Sequence, residues 1–94
     1  MRLKTSVAEI VEDGDYCFRD VEYAPGVVGR NFVCQIPGGD IIAVPIHTAS
    51  EKPKRPVSWQ WNGSEDRPTL TPSLLVQGVN AWHGFVTDGQ LRTC

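Results

Sequence analysis

The stretch Ala81-Trp82-His83-Gly84-Phe85-Val86-Thr87-Asp88-Gly89-Gln90-Leu91-Arg92-Thr93-Cys94 decides how this chain must be read. Asp88-Gly89 is a favoured pair for a two-residue type I′ turn, because both central positions need positive φ. A turn of that length fixes the register of the flanking strands. Thr87 then faces Gln90, Val86 faces Leu91 and Phe85 faces Arg92. Further out, Gly84 faces Thr93 and His83 faces Cys94. The chain therefore ends in a β-hairpin.

Upstream, the same punctuation continues. Nine Gly and seven Pro cut the chain into short runs, the pattern of a protein built from strands. Tyr16 to Tyr23 reads as a strand turned by Ala24-Pro25-Gly26. Arg30 to Ile36 and Asp40 to Ile46 read as strands around a Pro37-Gly38-Gly39 loop. Val57, Trp59 and Trp61 alternate with Ser58, Gln60 and Asn62, the period of a strand. Residues 48–56 are polar and Pro-rich, an exposed and flexible connection. Gly63 to Pro68 is a loop, Ser73 to Gln77 a strand, and Gln77-Gly78-Val79-Asn80 a turn. Helical periodicity is nearly absent; Val7, Ile10 and Val11 share a helical face within Ser6–Glu12, but that segment also suits a strand. The expectation is an all-β fold over residues 1–94, a small antiparallel sandwich or partly open barrel of about seven strands.

Composition narrows the function classes. The chain has 94 residues and a net charge of −2, with eleven acids against nine Lys and Arg. That balance argues against nucleic acid as a partner. No apolar run reaches the ~20 residues needed to span a membrane, and the N-terminus lacks the apolar core of a signal peptide. Cys17, Cys34 and Cys94 are odd in number and show no CxxC spacing, which fits reduced thiols. The expected location is a bacterial cytoplasm or a virion, without secretion. A chain this short buries a limited fraction of its surface, which leaves self-association open.

Four groups of residues are candidates for chemistry or binding. His83 opposite Cys94, with Cys34 and Cys17 or His47 to complete a tetrahedron, is a fallback metal set. The same His83 and Cys94 could be a thiol hydrolase pair, but no further catalytic group accompanies them. Trp59, Trp61 and Trp82 suit the core, with Trp82 the expected exception. Gly84 leaves a gap in side-chain cover beside Trp82, so Trp82-His83-Gly84 reads as an anchor for a partner. In Pro68-Thr69-Leu70-Thr71-Pro72-Ser73 the prolines hold the backbone extended, and the hydroxyls of Thr69, Thr71 and Ser73 can satisfy backbone groups. That segment suits a crossover between strands or an extended partner-binding surface.

The run Trp59-Gln-Trp61-Asn-Gly-Ser-Glu-Asp-Arg-Pro68-Thr-Leu-Thr-Pro72-Ser-Leu-Leu-Val76, followed by Trp82-His83-Gly-Phe85-Val-Thr-Asp-Gly89, resembles a family of small proteins common in tailed bacteriophages and prophages. Its members read W-x-W-x-G-x-x-x-x-P-T-x-x-P-S-[IL]-L-V and then C-H-x-F-[IV]-x-x-G, and the likeness covers residues 57–90. Some members carry the label "ammonia monooxygenase", which denotes a membrane-embedded copper complex that this chain does not resemble. Many members have a Cys-rich segment before the Trp strand and a Cys-His pair after the Pro-Ser block, which together suggest zinc. Here Cys34 alone occupies the first and Trp82-His83 the second. The resemblance implies no cofactor and a phage-encoded, non-enzymatic domain that binds a protein. Its role would be a virion accessory subunit, in the capsid or tail, or an inhibitor of a host defence protein. A small zinc-binding or Cys-His thiol enzyme is the alternative.

Overall fold

A computed structural model describes residues 1–94. It contains nine strands: β1 (Arg2–Leu3), β2 (Asp15–Ala24), β3 (Val27–Gln35), β4 (Ile41–Thr48), β5 (Trp59–Trp61), β6 (Leu70–Thr71), β7 (Leu74–Val76), β8 (Trp82–Thr87) and β9 (Gln90–Thr93). The first six form one sheet in chain order, and β7-β8-β9 form a second. The all-β expectation holds, as a curled six-stranded sheet closed by a small three-stranded one. No helix is long and apolar enough to cross a membrane. Two pairings differ from the antiparallel expectation: β1 with β2 and β4 with β5 are parallel. A parallel pair cannot be joined by a tight turn. The Pro-rich connection after Thr48 therefore loops out and back, setting Trp59 beside Ile46 and Trp61 beside Thr48 at the C-terminal end of β4.

The core lies between the two sheets. Tyr16, Phe32, Cys34, Ile36, Val44, Ile46, Trp61 and Leu70 from the large sheet and its loops meet Leu74, Trp82 and Val86 from the small one. A smaller cluster of Ile10, Cys17 and Val33 packs on the other face of β2 and β3, beneath Val7. The helical candidate Ser6–Glu12 closes into a single 3₁₀ turn over Val7–Glu9. The Asp15 carboxylate ends it, accepting the N–H groups of Val11 (3.1 Å) and Glu12 (3.0 Å). Asp15 is buried, and these hydrogen bonds, led by that from Val11, hold its carboxyl below its ordinary pKa against the opposing effect of burial.

The Pro68–Ser73 segment makes the crossover. Leu70–Thr71 pairs with β5, and two residues later the chain enters the second sheet as β7. The short β6 was not expected, because two prolines bracket it; Leu70 is drawn into the core opposite Trp61.

The terminal hairpin has the register derived from its turn. Thr87 pairs with Gln90, Val86 with Leu91, Phe85 with Arg92 and Gly84 with Thr93. Asp88 and Gly89 have φ of 50° and 76°, as a type I′ turn requires. The Cys94 N–H donates to the His83 carbonyl at 2.9 Å, which sets those two residues opposite each other. The hairpin tip is tied to the Pro68 loop. The Gly89 N–H donates to the Pro68 carbonyl, the Asp88 N–H to the Thr69 hydroxyl, and Arg67 pairs with the Asp88 carboxylate at 2.8 Å.

Candidate functional site

Strand alternation sorts the small sheet into two faces. Leu74, Trp82, Gly84 and Val86 point inward and are buried, whereas Leu75, His83 and Phe85 point outward and are exposed. This corrects the expectation that Trp82 is a surface anchor. Its indole is buried among the core residues and donates to the Thr93 hydroxyl at 2.9 Å. The gap left by Gly84 is filled by that indole, because a Cβ at position 84 would collide with its Cζ2. Pro68 is also buried, and Thr69 spends its hydroxyl on the hairpin tip. Neither offers its side chain to a partner. Of the residues expected to form a binding patch, His83, Thr71 and Pro72 remain at the surface.

His83 has a different neighbour from the ones expected. Its Nε2 lies 2.8 Å from the Ser73 hydroxyl. Leu75 pairs with His83, and Ser73 stands two residues before Leu75 on the same strand line, so its side chain shares the outer face. The Ser73 carbonyl accepts the Trp59 indole N–H at 3.2 Å, which fixes the backbone beside the hydroxyl. The Ser73 N–H donates to no group in the protein. The His83 ring is set against Phe85, with centroids 6.4 Å apart and planes inclined by 33°.

The fallback metal set is not assembled. No three His, Cys, Asp or Glu side chains converge as a metal ion needs. Cys34 is fully buried in the core, and burial pushes its thiol up to about 12, so it is a poor ligand and nucleophile. Cys17 is buried as well, and desolvation raises its thiol. Cys94 is exposed and opposite His83 as derived, but the imidazole Nε2 is engaged by Ser73.

A second serine–histidine contact exists in the large sheet. His47 Nδ1 lies 2.7 Å from the Ser58 hydroxyl. His47 borders an open groove of about 610 Å³ lined by charged residues including Arg30, Glu51 and Lys54. The Arg30 guanidinium is already held over the rings of Phe18 and Trp61, each 5.2 Å from its centre.

A hydroxyl hydrogen-bonded to an imidazole nitrogen, with an unpaired backbone N–H beside it, contains the groups that a nucleophile–base unit requires. The chain belongs to the BubE family, described as bacterial ubiquitination-like system serine protease, whose model matches residues 8–94. No curated protein and no solved structure matches it. Membership in a serine protease family overturns the expectation of a phage-encoded, non-enzymatic binding domain, whether virion subunit or inhibitor. Ser73 and His83 both stand in the motif blocks quoted above. Sequence reasoning gives the Ser73 hydroxyl to backbone groups and His83 to a metal set, a thiol pair with Cys94 or a partner surface, and does not bring the two residues together.

Proposed function

We propose that this chain is a serine peptidase acting on a protein of a bacterial ubiquitination-like system, with Ser73 as nucleophile and His83 as general base. The observation that carries the reading is the 2.8 Å contact between the Ser73 hydroxyl and His83 Nε2, in a chain of this family.

The chemistry follows from that contact. Unprotonated Nε2 takes the hydroxyl proton as Ser73 Oγ attacks the scissile carbonyl carbon. The Oγ–C bond forms and the carbonyl π pair moves onto oxygen. The unpaired Ser73 N–H is available to the resulting oxyanion, the place of greatest electrostatic benefit in acyl transfer. The oxyanion collapses, the C–N bond breaks, and the leaving amine takes the proton from Nε2. An ester to Ser73 remains. Water then repeats the sequence: Nε2 takes its proton, its oxygen bonds to the acyl carbon, and the C–Oγ bond breaks as Ser73 recovers the proton. The products are a carboxylic acid and an amine. His83 Nδ1 makes no hydrogen bond to a carboxylate or carbonyl, so the unit is a dyad. The packing of its ring against Phe85 takes the orienting role that a third residue has in a triad.

The contact between His47 and Ser58 supports a second reading, because it is equally short and adjoins a groove. It is disfavoured because Nδ1 is crowded by its own backbone, whereas Nε2 is the outer nitrogen of the ring. An alkyl fluorophosphonate, read by intact mass and peptide mapping, separates the two. One adduct is expected on Ser73, lost in Ser73→Ala and His83→Ala and retained in Ser58→Ala and His47→Ala. Labelling that persists in Ser73→Ala, or vanishes in Ser58→Ala, overturns the assignment.

A further inference from the structure

Resting on that reading of Ser73, we infer that the outer edge of β7 is the substrate-binding strand: an extended segment of the protein substrate adds to it antiparallel. The residue bearing the scissile carbonyl comes level with Ser73, and the residue two positions upstream pairs with the Leu75 backbone.

The hydrogen-bonding parity of the small sheet leads to this. In a two-residue hairpin the residues flanking the turn exchange hydrogen bonds, and bonded and unbonded pairs then alternate. Thr87 flanks the turn, so Phe85 and His83 also direct their backbone groups at β9. The hydrogen bond from the Cys94 N–H to the His83 carbonyl, 2.9 Å, agrees with that parity. Leu75 pairs with His83. Since His83 bonds toward β9, the N–H and C=O of Leu75 cannot bond to β8. They point away from it, and β7 is an edge strand with no neighbour on that side. Strand alternation gives Ser73 the same parity, but its carbonyl is occupied by the Trp59 indole. The free edge therefore offers Leu75 and stops at Ser73, where an added strand must leave the line of the sheet.

The occupant follows from the position of the nucleophile. An antiparallel strand running toward Ser73 delivers its C-terminal carbonyl there and leaves its upstream residues along β7. Strand addition of this kind takes affinity from main-chain hydrogen bonds and selectivity from alternate side chains. The side chains that would meet the outer face of such a segment are Leu75 and Phe85, 62% and 43% exposed, on either side of the His83 ring. A chain that is already extended suits this edge; a folded surface does not present both the free backbone and a carbonyl at the correct height.

The test compares two diphenyl phosphonates with the same serine-reactive group, an N-acetyl alanine analogue and its acetyl-Ala-Ala extended form. Ser73 Oγ attacks phosphorus, one phenol leaves with the proton carried by His83, and the rate of adduct formation is read by mass. The extended probe is expected to react roughly tenfold faster or more, the value of two backbone hydrogen bonds. N-methylation of the alanine that faces Leu75 should remove most of that advantage and needs no protein variant. Leu75→Pro, which removes the outward N–H at an edge, should lower the ratio severalfold. Equal rates for the two probes, or an advantage untouched by N-methylation, overturns the inference while Ser73 labelling stands. Failure of either probe to react at Ser73 overturns the assignment of the nucleophile, and this inference falls with it.

Discussion

The Trp82 indole occupies the space that any side chain at Gly84 would need, so the residue before His83 and the residue after it lock together on the inner face of the hairpin. His83 projects from the opposite face with both neighbours anchored in the core. The imidazole that lies within hydrogen-bond reach of Ser73 is thereby held from beneath. This contact separates changes that unfold the protein from changes that disable it.

Trp82→Ala should unfold or nearly unfold the domain. Removing a buried aromatic side chain costs ~3–5 kcal/mol, a large share of the stability of a chain this small. Gly84→Ala should cost ~1–3 kcal/mol through overpacking against the same indole. A thermal melt checks both, and Gly84→Ala with an unchanged midpoint would contradict the packing described.

Ser73→Ala and His83→Ala should each abolish peptidase activity, by roughly 10³-fold or more, and the double variant should lose no more than either alone. Surface substitutions away from the core usually change stability by less than ~0.5 kcal/mol, so the melts of both should match the parent. Additive losses in the double variant would mean that the two residues do not act as one unit.

Phe85→Ala should reduce kcat while leaving the melt nearly unchanged, because Phe85 is a positioning residue for the His83 ring. Phe85→Leu, which keeps an apolar contact, should recover part of the loss. Equal activity in the parent and Phe85→Ala would show that the ring is oriented by other means.

Stability should fall on the acid side through Asp15. Its folded pKa lies below the ordinary value of 3.8 because backbone N–H groups bind the ionised form. The contribution is therefore complete above the unfolded value and lost as pH drops through the lowered folded value. Asp15→Asn should be less stable than the parent at neutral pH, with the difference shrinking toward strongly acidic pH. Urea unfolding curves at a series of pH values measure this. A constant difference would remove the carboxylate from the account.

Thiol reactivity should be confined to one cysteine. Cys94 is exposed, while Cys17 and Cys34 are buried with thiols raised by desolvation. A colorimetric disulfide reagent should titrate only Cys94 in the native protein, and Cys17 and Cys34 should follow in denaturant. Rapid native reaction at Cys34 would contradict its place in the core.

The strands and the hairpin register were legible because they follow from local chemistry. Asp88-Gly89 admits one tight turn, and a turn of fixed length fixes every pair beyond it. Gly and Pro mark the other breaks, and alternation puts Trp59 and Trp61 on one face of β5. The contact between Ser73 and His83 was not legible, although His83 lay in an expected strand and Ser73 stands directly before β7. A Gln77–Asn80 turn would bring Val76 opposite Ala81, whereas the chain pairs Val76 with Trp82. A slip of one residue moves a strand's side chains to the other face, so the sequence left open whether Ser73 and His83 share a face at all.

Local chemistry makes this chain an all-β fold, places its turns and sets His83 opposite Cys94, because those features depend on residues close together in the chain. Tertiary structure alone decided that Trp82 belongs to the core, that Pro68 and Thr69 serve the hairpin tip, and that Ser73 meets His83. Each of these depends on how one sheet seats on the other. The length of the loop between β7 and β8 and the packing of one indole over Gly84 settle that seating, and no local preference encodes either.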